Sequence, residues 1–206
     1  MTDITLYGDV KSRAIRSIWA LEECRLETGI DYTHVKLKSL DEMRSPDFLA
    51  INPNGKIPAL VDGDVVLFES MCINLYLAQH YAKSLLPGTA KGETYALRWS
   101  FWAISEVEPL QMDLLNHTRF LPKPKRIAQI AEVALKKLGR PMAVSNTHLR
   151  DNAWLVGDGF SIADLNLSAV MLLLQMASYD YDDWPHVKQW LDKCYARDAL
   201  MHANKR

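Results

Sequence analysis

Cysteine is scarce: Cys24, Cys72 and Cys194 are the only three in 206 residues. No two form a C-x-x-C pair, and so odd and sparse a set argues against a disulfide framework. A reducing, cytoplasmic setting fits it best. The six histidines are scattered, with no HxxxH and no Cys/His pairing, so no metal site is expected. Long runs of one charge are missing too. Formal net charge is −1, which makes nucleic acid and an anionic membrane poor partners. The longest apolar run, "LSAVMLLLQMA" (167–177), is too short to span a bilayer and reads as a buried helix. The opening "MTDITLYGDV" has neither a cationic n-region nor an apolar h-region, so no signal peptide is expected.

What is present is enough apolar matter for a sizeable core, 49% of residues, in an otherwise ordinary globular composition. "ITLYG" alternates as a short strand. "SRAIRSIWALEECRL" (12–26) follows with Ile15, Ile18, Trp19 and Leu26 at helical spacing, stopped by Gly29. "IDYTHVKL" (30–37) alternates again. "SPDFLAINPNG" predicts one short helix ended by Asn52-Pro53. "IPALV" and "VVLF" flank the turn "DGD" as a hairpin, and "SMCINLYLAQHYA" is helical. The order β-α-β-α-β-β-α predicts a domain over 1–82, with a parallel βαβ unit and an antiparallel hairpin at its edge. "SLLPGTAKG" reads as a linker. Strand signals then stop, and 90–206 reads as a second, all-helical domain. Ser161 and Asp164 make a capping box there, flanked by Phe160 and Leu165 at staple positions.

The hairpin "KIPALVDGDVVLFES" (56–70) has chemically odd ends. Pro58 has no N–H to offer a ladder and belongs at a strand start or edge; by its residues alone it reads as a trans proline. Ile57 then keeps main-chain groups with no assured ladder partner, suited to pairing with a short peptide. Glu69 and Ser70 stand where the next helix begins. In the plain reading Ser70 is the N-cap and Glu69 a favourable N-terminal charge. In the functional reading the helix start with its hydroxyl takes a carboxylate, and Glu69 takes the ammonium beside it. A zwitterionic amino-acid head on a peptide meets both demands, and the γ-glutamyl end of glutathione is such a head.

The segments "SRAIRSIWALEE", "INPNGKIPALVDGDVVLFES" and "GDGFSIADLNL" resemble the glutathione S-transferase family, in the pattern of its bacterial, serine-type, theta-like members, over essentially the whole chain. The resemblance implies a thioredoxin-like N-terminal domain, an α/β fold, followed by a helical-bundle C-terminal domain. It implies a cis Ile57-Pro58 bond, main-chain contacts from Ile57, a γ-glutamyl site at Glu69 and Ser70, and Lys56 near a glutathione carboxylate. Glutathione enters as co-substrate without a metal, a small apolar electrophile is the second substrate, and a homodimer is expected. One position departs from the family. Many relatives carry a histidine at the position of Met43, where it helps hold the glycyl carboxylate; Arg44 is the neighbouring candidate to replace it.

Such an enzyme needs a thiolate, and a thiol of pKa near 8.5 is only a few per cent ionised at neutral pH. Lowering that pKa by about two units takes about 2.7 kcal/mol of differential stabilisation. A charge-assisted hydrogen bond supplies roughly 1.5–3 kcal/mol and a helix N-terminus about 0.3–1. One hydroxyl at the first helix's start is nearly enough, and Ser12 stands there, five residues after Tyr7. Capping its helix leaves the Ser12 O–H free to donate. Tyr7, on the first strand, is the competitor; the loop behind it is short for a tyrosine-type site. Trp99, Trp102 and Glu106 share a helical face that reads first as core packing. Two alternatives stand beside the transferase: a non-enzymatic interaction protein on the same fold, and a glutathione-dependent peroxidase, isomerase or dehalogenase.

Overall fold

The computed structural model describes residues 3–206. The chain divides into two compact units, one running to Leu86 and joined by Ala196–Arg206, the other Pro87–Tyr195. The last eleven residues therefore pack with the first unit rather than with the helical one, where the sequence reading had put them.

In the first unit β1 (Ile4–Tyr7) turns Ile4 and Leu6 into the core, as strand alternation requires. The helix α1 (Ile15–Thr28) follows and ends at Gly29, whose left-handed φ of 74° lets its N–H close onto the Arg25 carbonyl. Then come β2 (Thr33–Val35), two short helices α2 (Leu40–Met43) and α3 (Pro46–Ile51), the hairpin strands β3 (Ala59–Asp62) and β4 (Val65–Phe68), and α4 (Ser70–His80). The helix expected in "SPDFLAINPNG" is α3, capped by Ser45 and ended at Asn52; α2 is an additional short helix, capped by Ser39. The sheet order is β2-β1-β3-β4, with β1 parallel to β2 and the other pairs antiparallel. This is the thioredoxin-like arrangement expected.

Every residue of α1 from Ile15 to Cys24 is buried, including Arg16, Glu22 and Glu23. A helix buried all round needs cover on more than one side. It packs against α4 and against a further helix, α10 (Asp198–Ala203), in the returning C-terminal segment.

The second unit is helical. Thr89 caps α5 (Ala90–Trp102), accepting the Gly92 N–H at 3.0 Å. A π-turn over Ala103–Val107 leads into α6 (Glu108–Leu115). Pro109 stands just beyond it and cannot supply an N–H to a regular ladder, which accounts for the break in period. Pro141 lies inside α7 (Ala128–Asp151), which runs on past it as expected. The Ser161–Asp164 capping box opens α8 (Ile162–Met171), and α9 (Pro185–Tyr195) completes the unit. Asp164 is buried and accepts from the N–H groups of Leu155 and Ser161, the Ser161 hydroxyl and the Trp190 indole. The Phe160 ring meets Trp154 edge-on. Among the described residues no helix is long and apolar enough to cross a membrane.

Candidate functional site

The sheet topology gathers one edge. Parallel β1 and β2 both end there, β3 begins there, and β4 ends there. That edge carries the turn after β1, the Lys36–Lys38 stretch after β2, Ile57 before β3, and Glu69 and Ser70 after β4. A cavity of about 580 Å³ is walled there by Ser12, Ile57, Lys36, Met43 and Arg206, among others. This lies within the usual size range of small-ligand pockets, ~300–1,000 Å³.

Ser12 precedes α1 rather than opening it. It lies in a tight turn in which its own N–H and its hydroxyl both donate to the Asp9 carbonyl, at 3.0 and 2.7 Å. Its Oγ accepts the Ala14 N–H at 3.1 Å, and Ala14 holds the N-cap position with no side-chain bond. The hydroxyl has one proton, and that proton is engaged with Asp9 rather than free as the sequence reading held. Turning this hydroxyl to an anionic acceptor would exchange a neutral bond, about 0.5–1.5 kcal/mol net, for a charge-assisted one of about 1.5–3. The exchange is favourable by about 1 kcal/mol, the equivalent of roughly one pKa unit or slightly less. Gly8 makes the turn possible: a Cβ there would lie 2.3 Å from that of Ala14.

The Ile57-Pro58 bond is cis, as the resemblance implied and against the reading from residues alone. The β1–β3 ladder begins at Ala59, so the main-chain groups of Ile57 lie outside it. Lys56 is exposed, and its carbonyl accepts from the Asn52 side chain. Glu69, not Ser70, is the N-cap of α4, and its side chain makes no capping bond. Its φ of 71° is left-handed, a conformation that costs a residue with a Cβ about 1–3 kcal/mol. Ser70 is the first helical residue and is buried. The N–H groups of the first turn of α4 lie ahead of the helical ladder, which starts with Ile73 N–H to the Glu69 carbonyl at 3.0 Å. The structure brings Ser12 and Ile57 onto one cavity; Lys56, Glu69 and Ser70 lie along the same edge but are not among the residues lining it.

The competitor Tyr7 and the other reactive or aromatic side chains fall elsewhere. The Tyr7 ring packs against Phe48, centroids 5.8 Å apart, and does not line the cavity. Cys24 is buried in α1, and burial pushes its thiol up to about 12, which leaves it inert. Cys194 is buried and Cys72 exposed. Trp99 is buried against Trp102 and His148, each 5.1 Å away by ring centroids, so its role is packing. Glu106 is exposed, and His117 accepts the Ile127 N–H through Nδ1 at 3.1 Å. Among the described residues no group of three or more His, Cys, Asp or Glu is placed to hold a metal ion.

Sequence reasoning missed the cavity's cations. Lys11, Lys36, Lys38 and Arg206 line it against one carboxylate, Asp9. Arg44 does not line it; it is the exposed C-cap of α2. Arg206 escaped notice because nothing local marks it. The signal lay on α1, where the buried pair Glu22-Glu23 requires cationic partners from somewhere.

Two family descriptions match this chain: "Glutathione S-transferase, N-terminal domain" over residues 2–79 and "Glutathione S-transferase, C-terminal domain" over residues 111–198. The chain belongs to the glutathione S-transferase family. As a member it is a glutathione transferase. It is 35% identical to Glutathione S-transferase 3 of Zea mays, over 98% of this chain and 93% of that protein. It is 31% identical to a glutathione S-transferase of Hyoscyamus muticus, over 96% of each. Among solved structures, glutathione S-transferase-I bound with lactoylglutathione matches at TM-score 0.86 and 31% identity, over 98% of both chains. The theta class glutathione S-transferase of Xanthomonas axonopodis pv. citri, with glutathione bound, matches at TM-score 0.86 and 27% identity, over 98% of this chain and 97% of that one. The resemblance is thus not confined to bacterial members of the family.

Proposed function

We propose that this glutathione transferase lays glutathione along the strand-end edge of its first unit and attacks a small apolar electrophile with the thiolate. The Ser12 hydroxyl turns from the Asp9 carbonyl to the sulfur. The Ile57 N–H and C=O pair with the cysteinyl residue in antiparallel fashion. The γ-glutamyl carboxylate lies at the start of α4 with Ser70, where unpaired N–H groups and the helix dipole favour an anion, and Glu69 takes the ammonium. Lys56 faces a carboxylate of the ligand. The observation that carries the reading is the shared cavity of Ser12 and Ile57, with the left-handed backbone of Glu69 further along the same edge. Strain kept at such a position fits a side chain aimed at a ligand.

The reading includes a homodimer, in keeping with the exposed Leu97 and Phe101 on α5, and a cytoplasmic setting, in keeping with the sparse cysteines. Calorimetric titration with glutathione tests it. Binding is expected in the micromolar to millimolar range, with Ser70→Ala weakening it by about 1–3 kcal/mol. Absence of binding at millimolar glutathione rejects the reading. Unchanged affinity in a less stable Ser70→Ala protein reduces Ser70 to a structural role.

A further inference from the structure

Arg206 is a built part of the cavity wall rather than a loose surface cation. Its Nε donates to Glu22 Oε1 at 2.7 Å, and its Nη2 lies 2.7 Å from the same oxygen. Glu22 is wholly buried and also accepts the Tyr32 hydroxyl at 2.7 Å. The Arg206 guanidinium lies over the Tyr32 ring, 4.7 Å from its centroid. Burial and the bond to Glu22 hold the Tyr32 phenol well above its ordinary value, so it stays a donor and the cluster keeps its geometry. One edge of the guanidinium is thus held by a carboxylate and an aromatic face. A guanidinium has five N–H donors in a rigid fork, so donors remain for a ligand in the cavity that Arg206 lines.

The position along the sheet says which part of a ligand meets it. At the site edge the strand ends run in the order Phe68, Ala59, Tyr7, Val35. Neighbouring strands are about 4.8 Å apart, so the row spans roughly 14 Å. Three extended residues reach roughly 10–11 Å, and the γ-linkage lengthens glutathione further. A ligand with its amino-acid head beyond β4 and its thiol at Ser12 beyond β1 directs its other end towards β2. There the cavity wall carries Lys36 and Arg206, while Met43 offers no donor.

We propose that Arg206, supported by Lys36, receives the glycyl carboxylate of glutathione and takes the place of the histidine that Met43 lacks. Arg44, the neighbour of Met43 in sequence, does not reach this wall. The proposal rests on the glutathione reading above. It ties ligand recognition to the C-terminal segment, which the same guanidinium fastens to α1 through Glu22.

The test is a calorimetric comparison of glutathione with its glycyl monoethyl ester, which keeps the length and the thiol and removes only the glycyl charge. The full chain should bind glutathione about tenfold to a hundredfold more tightly than the ester, the range of a charge-assisted bond. Arg206→Gln should lose most of that preference, through weaker binding of glutathione, with Lys36 keeping a smaller remainder. Arg206→Lys keeps a cation beside Glu22 and covers the case in which Arg206→Gln does not fold; its preference should fall at least threefold. A full preference retained in both variants overturns the proposal and leaves the glutathione reading standing. Equal binding of the two ligands by the unaltered chain also overturns it. Binding of neither ligand by the unaltered chain rejects the glutathione reading itself.

Discussion

Glu23 of α1 and Arg197, just ahead of α10, are joined by two N–H···O bonds, Nε to Oε1 at 2.6 Å and Nη2 to Oε2 at 2.7 Å. The carboxylate also accepts the Trp19 indole at 3.0 Å. Glu23 is 7% exposed and the Arg197 side chain 34%. Losing one partner of a fully buried pair costs about 3–5 kcal/mol; the exposure of Arg197 brings the expectation for Arg197→Met to about 2–3. Urea unfolding measures it, and limited proteolysis should show cleavage near residue 196 in the variant first. A stability equal to the parent's would mean that water satisfies Glu23 and that the clasp is incidental.

Asp164→Ala should be more damaging. It removes the acceptor for two main-chain N–H groups, a hydroxyl and an indole, all buried together. Each buried donor left unpaired costs about 1–3 kcal/mol, and several share the site, so about 3–5 kcal/mol is expected. Chemical denaturation followed by tryptophan fluorescence reports it, since Trp190 is one of the donors. Asp164→Asn, which keeps one acceptor oxygen, should recover part of the loss.

How much of this could be read in advance depended on how local the cause was. The hairpin from Lys56 to Ser70 was legible because "DGD" and two alternating runs define it within fifteen residues. The capping box at Ser161 was legible for the same reason. Helix α10 was not: six residues carry no periodic signal, and Arg197 and Arg206 on either side of it meet Glu23 and Glu22 more than 170 residues away in the chain. The identity of Ser12 as the candidate donor was readable, but its engagement with Asp9 was not, because that depends on the backbone of a turn only Gly8 permits. The cap of α4 shifted by one residue because Glu69 takes a left-handed backbone that propensity alone would give to glycine.

His34 makes stability depend on pH. Its Nε2 lies 2.9 Å from the Gly8 carbonyl, and burial holds its pKa below the ordinary 6.5. Lys36 and Arg206 push the same way, while the bond to Gly8 and the charge of Asp9 oppose. The unfolded chain therefore takes up this proton before the folded one does. The His34 contribution is fully present above about pH 6.5 and is lost as pH falls through the folded value. Melting temperatures of the parent and of His34→Gln between pH 8 and 5 should converge as pH drops. Parallel curves would show that the ring titrates alike in both states.

Central to the account is that Ser12, and not Tyr7, holds the thiolate, and the ultraviolet thiolate band of bound glutathione titrated against pH measures this most directly. Ser12→Ala should raise the thiol pKa in the complex by about one unit, the net gain left after the hydroxyl gives up Asp9. The rate at neutral pH should fall roughly tenfold and recover as pH rises, with glutathione affinity changing much less. Tyr7→Phe should leave the titration curve where it was. A shift in Tyr7→Phe with none in Ser12→Ala would contradict the assignment and make this a tyrosine-type enzyme.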